Sequence, residues 1–144
     1  MKKMLPLFLA AALAVASCSK SDDAPGAAAL LGTWVVQSET KVSTPKNGGA
    51  ATTTTVQKPL PSGLTSITFR ADGTYTLVDP SRTYSDSGTY TYANNILTLP
   101  YYSTSGVQSA KILAVPELTA TRLVTVLSTE DASYKYTTTD LYTR

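Results

Sequence analysis

A chain of 144 residues has room for one folded domain beside a targeting segment. Its 12 basic and 10 acidic side chains fall to ten of each once Lys2 and Lys3 are set aside as part of a removable leader, and a near-neutral chain without a basic cluster is a poor nucleic-acid binder. It has no His, the commonest general base and metal ligand, and its one Cys leaves no intrachain disulfide to form.

The chain opens on a basic stretch, Met1-Lys2-Lys3, followed by an apolar run over residues 5–15. That run is too short to cross a bilayer and has the form of a signal-peptide core. Val15-Ala16-Ser17-Cys18 follows directly and resembles the lipobox of bacterial lipoproteins. The resemblance implies cleavage before Cys18, attachment of lipid (palmitate among its acyl chains) to that residue, and anchoring in the outer membrane, on its periplasmic or its surface-exposed leaflet. The alternative is a plain secretory signal with an incidental Cys. Ser19-Lys20-Ser21-Asp22-Asp23 is similar to the acidic export signals of Bacteroidota-type surface lipoproteins; it equally suits the start of a solvated linker. The organisation expected is a leader over 1–17, a lipidated Cys and tether over 18–30, and a domain over 31–144.

From Leu31 onward no segment has helical periodicity. Gly32-Thr33-Trp34 begins the first predicted strand, over residues 33–42, and contains the only Trp. Residues 43–62 read as a long flexible gap: Asn47-Gly48-Gly49 and four Thr favour irregular chain, and Pro45, Pro59 and Pro61 break pairing. A second strand alternates Thr65, Ile67 and Phe69 with Ser66, Thr68 and Arg70. Asp72-Gly73 makes a tight hairpin to a third strand through Tyr75 and Leu77. Residues 81–86 form a longer loop before a strand over 88–92, and Asn94-Asn95 turns into a short strand over 96–99, closed by Pro100. Tyr101 and Tyr102 open a further loop. Three more strands follow, over 107–115, 121–128 and 134–144; the last loses its alternation at Thr137-Thr138-Thr139, where a bulge would restore it.

Eight strands, each next to its neighbour in sequence, predict an all-β, antiparallel up-and-down β-barrel, which leaves no open edge. Short turns and longer loops alternate, so one end is closed tightly and the other is rimmed by loops. Trp34 and Arg144 both belong to the closed end.

At this point the residues resemble a family. Gly32-Thr33-Trp34 is similar to the Gly-x-Trp of the lipocalin first strand, and Arg144 to the lipocalin arginine that packs over that indole. The run from Ile67 to Tyr75, then Gly88 to Tyr92 and Ile96 to Leu99, looks like a phrase of small bacterial lipocalin-like lipoproteins. The resemblance covers residues 31–144 and implies a lipocalin-like barrel, here with no C-terminal helix. It also implies that Gly32, Trp34 and Arg144 close the barrel.

Candidate ligand residues are the tyrosines. Tyr75, Tyr90, Tyr92, Tyr134 and Tyr136 recur on one face of their strands. They line an amphipathic pocket, fill a narrow barrel, or stand on its outer wall. Arg82, Tyr84, Tyr101 and Tyr102 belong to the long-loop rim, where they contact a ligand or anchor their own loops. No nucleophile has a His to activate it, and Asp79, Asp86 and Glu117 lie on different turns, so no catalytic residue is assigned. Asp22-Asp23 and Glu130-Asp131 are pairs without ligand spacing, so no metal or cofactor is expected. Two functions remain: an envelope-anchored carrier of a small apolar or amphipathic molecule, or a filled barrel whose rim contacts an envelope protein or a glycan.

Overall fold

The computed structural model describes residues 26–57, 65–80, 84–102 and 108–144. Over these residues it is an antiparallel, nearly closed β-barrel of ten strands. In chain order these are β1 (Gly32–Pro45), β2 (Thr52–Gln57), β3 (Ser66–Phe69), β4 (Thr74–Asp79), β5 (Tyr84–Thr89), β6 (Thr91–Ala93), β7 (Ile96–Tyr102), β8 (Gln108–Leu118), β9 (Arg122–Glu130) and β10 (Tyr134–Thr143). One helical turn, α1 (Ala27–Leu30), precedes them, where no helix was expected. Ala-rich sequence favours it, and the Ala29 N–H closes it on the Gly26 carbonyl at 2.8 Å.

Ten strands replace the expected eight because one expected strand, over 88–92, is divided into β5 and β6, and because β2 forms within the expected gap. β2 and β3 pair with the same edge of β1, β3 along Gly32–Val35 and β2 along Ser38–Ser43. β5 pairs with β4, and β6, one residue later, pairs with β7. At that break the Tyr90 N–H leaves the ladder and donates to the Gly73 carbonyl at 2.8 Å. The sheet then runs β5-β4-β3-β1-β10-β9-β8-β7-β6, with the β5/β6 chain bringing its two ends together. Pairing of β1 with β10 (Val35 with Thr143, through to Pro45 with Tyr134) joins the first strand to the last.

Part of the long gap expected over 43–62 is strand. β1 continues to Pro45, and β2 returns along it through the threonine run. Thr is a good strand former, and the segment read as loop because it lies beyond the core: every residue of β2 is exposed. Pro100 and Pro116 do not end their strands either; Pro100 pairs with Ala110 inside β7–β8, and β8 continues to Leu118. The bulge expected in the last strand is in β1 instead, where the register shifts between Val36 and Ser38. Val36 N–H there donates to the Thr65 carbonyl at 2.9 Å.

The tight turns follow from residue chemistry. Gly73 has φ +80° after Asp72, whose carboxylate accepts from the Thr74 N–H (2.9 Å) and hydroxyl (2.7 Å). Those bonds, the Thr74 hydroxyl first, hold the Asp72 pKa below its ordinary value. Asn94 and Asn95 take φ 52° and 60°, the pair of positive angles a two-residue hairpin needs. Both turns lie at the Trp34 end. The core is densest there, with Leu30, Trp34, Phe69, Leu97 and Leu123 fully enclosed.

Candidate functional site: the barrel interior and its two ends

The closed end is built on Trp34. Its indole is fully buried, and its Nε1–H donates to the Leu30 carbonyl at 2.7 Å, which ties α1 beneath the barrel. The Arg144 guanidinium carbon lies 4.3 Å from the ring centroid, a cation–π contact. The same guanidinium donates to the carbonyls of Leu31, Ala120 and Ala29, the last at 3.3 Å. Gly32 sits beside it at φ +118°, and a Cβ there would lie 3.2 Å from Arg144 Nη1. The backbone angle requires glycine at this position, and a Cβ would crowd the guanidinium.

The five strand tyrosines are not brought together. Tyr75 is buried, and its hydroxyl donates to Asp86 at 3.1 Å. Tyr90 packs edge-on against Phe69 (4.9 Å, 71°) and donates to the Arg70 carbonyl at 3.0 Å. Tyr92 donates to the Asn95 side chain at 3.1 Å. Partial burial raises the pKa of both Tyr90 and Tyr92. These three serve the closed end. Tyr134 and Tyr136 are at the other end, with rings 5.9 Å apart and tilted by 32°. The Tyr136 hydroxyl donates to Asp131 at 2.8 Å, and that bond raises its pKa. Of the rim set, Arg82 lies outside the described residues, as does Cys18. Tyr84 begins β5 opposite Asp79, while Tyr101 and Tyr102 end β7 opposite Ser109 and Gln108, so these residues belong to strands and not to loops.

A cavity of about 120 Å³ lies inside the barrel, and none of the five strand tyrosines lines it. Its floor is apolar and buried: Phe69 and Ile67 on β3, Leu97 and Leu99 on β7, Leu113 on β8 and Leu123 on β9. One wall is polar and comes from β9 and β10, whose pairs Leu123–Tyr142, Thr125–Asp140 and Leu127–Thr138 stack on the inner face. Lys111, paired with Leu99, faces the same space; it is exposed and lies toward the end of the barrel away from Trp34.

Burial raises the Tyr142 pKa far above an ordinary phenol's, and the Asp140 carboxylate adds to the shift, so this side chain stays neutral. The Tyr142 hydroxyl reaches Asp140 at a long 3.5 Å. Thr125 is 2% exposed, and its Oγ1 lacks a hydrogen bond of acceptable geometry, although it is close enough to Tyr142 to act on its ionisation. Sequence reasoning missed Tyr142, Thr125, Lys111 and Asp140. Alternation marked Thr125 as sharing a face with Leu123 and Leu127, but the sequence does not say which face turns inward.

The carboxylates considered for catalysis are dispersed. Asp79 is buried and accepts from the Thr65 hydroxyl at 3.2 Å; Glu117 pairs with Arg122 at 2.8 Å near the closed end.

An interior cavity floored by aliphatic and aromatic side chains, inside a meander barrel plugged by Trp34 and Arg144, is a binding architecture. The sequence model of a lipocalin-like domain matches residues 30–125. The chain belongs to this lipocalin-like family. The match runs from the end of α1 into β9, so β10, which supplies Asp140, Tyr142 and the run to Arg144, lies beyond it. No curated protein matches the chain. The lipocalin-like barrel is a ligand-binding or binding-module fold, and the family is generally non-enzymatic.

Proposed function

We propose that this lipocalin-like chain is an envelope lipoprotein, anchored in the outer membrane through lipid on Cys18, whose barrel takes up a small apolar or amphipathic molecule. The cavity of about 120 Å³ carries this reading. Its apolar floor suits a hydrocarbon body, and its polar wall suits one orienting group.

The anchor has a geometric consequence. Eight peptide steps separate Cys18 from Gly26, a reach of at most about 28 Å. The 14 residues of β1, tilted as barrel strands are, separate the ends of the barrel by about 35 Å. The tether arrives at the Trp34 end, so it is too short to set the opposite end squarely on the bilayer. On this reading the cavity is filled from the aqueous side.

The test is native mass spectrometry on the mature protein purified from its own envelope. The expected result is a reproducible added mass that is released on denaturation and lost when Leu113→Trp fills the cavity. A clean apo mass together with no uptake of small apolar probes sinks the reading. One observation favours a second function. Tyr134 is 40% exposed beside Tyr136, a paired aromatic surface suited to a glycan or a partner protein. Binding that is lost in Tyr134→Ala and kept in Leu113→Trp would select it.

A further inference from the structure

We infer that the cavity selects a neutral, single-ring molecule carrying one hydroxyl group, a simple phenol in chemical class, held through Thr125. This deepens the carrier reading and rests on it.

The size of the cavity sets the body. At about 120 Å³ it is a little smaller than the roughly 150 Å³ apolar cavity that binds benzene in another protein, and far below the roughly 300–1,000 Å³ of drug-sized pockets. One ring fits, whereas a fused polycycle or a fully enclosed long acyl chain does not. The floor of Phe69, Leu97, Leu113 and Leu123 offers that ring only carbon.

The wall sets the polar group. A cavity lined by carbon alone accepts an unsubstituted ring. Here Thr125, enclosed to 2% exposure, directs an oxygen without an accepted partner at the same space. A ligand hydroxyl supplies both the donor and the acceptor that a threonine hydroxyl uses. Buried polar groups are ordinarily satisfied, and a ligand hydroxyl placed beside Thr125 and the neighbouring Tyr142 completes the pairing of Thr125.

The charges set neutrality. Among the described residues the lining carries one cation, Lys111, and one carboxylate, Asp140, and each already has a partner within the chain. Their charges are equal and opposite, so these two groups give the lining no net charge to favour an ion. A phenolate or a carboxylate entering this space would lose water without gaining a free cation.

Titration of the full mature chain with phenol, toluene and benzoate, read by calorimetry and by displacement of a fluorescent probe, tests the proposal. Phenol is expected to bind about tenfold more tightly than toluene, the worth of one well-made neutral hydrogen bond. Thr125→Val keeps the β-branched shape and removes the hydroxyl; it should erase phenol's advantage and leave toluene unchanged. Thr125→Ser, which keeps a hydroxyl, should retain the preference and guards against a folding defect in the valine variant. Equal affinities for phenol and toluene in the parent, or an advantage that survives Thr125→Val, would overturn the anchoring role while leaving the cavity as a ligand site. Benzoate binding as tightly as phenol would overturn neutrality. If none of the three binds, the carrier reading itself fails.

Discussion

Arg144 combines several small contacts in one side chain. Its guanidinium covers the indole of Trp34 and takes up the carbonyls of Ala29, Leu31 and Ala120, which lie outside the strands. A planar fork with five donors suits this task, and a lysine ammonium does not. Arg144→Ala is expected to lower unfolding stability by about 1–3 kcal/mol, and Arg144→Lys to recover little of it. Urea denaturation followed by the fluorescence of Trp34, the only Trp, measures both. A loss below about 0.5 kcal/mol in the alanine variant would show that the indole is held by its burial and its bond to Leu30 alone.

At the scale of elements, side chains in the turns replace backbone pairing. Asp131 closes the β9–β10 hairpin by accepting from the N–H groups of Ser133 (2.7 Å) and Tyr134 (2.8 Å) and from the Tyr136 hydroxyl (2.8 Å). Those bonds, the Ser133 N–H first, hold its pKa below the ordinary carboxylate value. A depressed carboxylate pKa contributes stability above the unfolded-state pKa, near 4, and loses it as pH falls through the lower folded value. The hairpin tip should therefore loosen as pH drops below about 4, with faster amide exchange at Ser133 and Tyr134 once intrinsic rates are corrected. Asp131→Asn should bring that looser state to neutral pH. Exchange that is unchanged between pH 5 and pH 3 would show that the β1–β10 ladder alone holds the tip. The Lys46 N–H bond to the Ser133 carbonyl (2.8 Å) and the Lys46–Glu130 pair (3.4 Å) join this hairpin to the β1–β2 end.

For the whole molecule, barrel closure sets where an anchor on Cys18 would hold the domain. α1 and Trp34 place the start of the domain under the closed end, and the turn at Asn47 lies at the other. If Cys18 carries lipid, a dye on Thr121→Cys, in the turn between β8 and β9, should be quenched by headgroup-labelled lipid. The same dye on Asn47→Cys should not be, and both positions are exposed. Equal quenching would mean that the barrel lies along the membrane; quenching at Asn47 alone would mean that the chain is not held by its N-terminal end. The interior is layered along the same axis, with carbon at the floor and Thr125, Asp140 and Lys111 above it. On the carrier reading, a ligand lies with its polar group toward the mouth.

What the sequence alone determined is local. Asp72-Gly73 and Asn94-Asn95 specify their hairpins because only certain residues tolerate the angles these turns need. Period-two alternation marks the strands, and Gly32, Trp34 and Arg144 mark the closed end through a resemblance carried by a few residues. What only the tertiary structure decided is which face of each strand turns inward and how far a strand continues. A one-residue slip reverses every side chain of a strand, and the shift between Val36 and Ser38 is such a slip, set by pairing across the sheet. Propensity likewise cannot foresee that Pro100 and Pro116 are carried inside strands, or that the threonines of β2 pair with β1, because those bonds come from partners distant in sequence. The five strand tyrosines stood out in the sequence, and the structure places three at the closed end and two at the other. The cavity wall fell to Thr125, Asp140 and Tyr142, ordinary strand residues until closure of β9 against β10 sets them around one enclosed space.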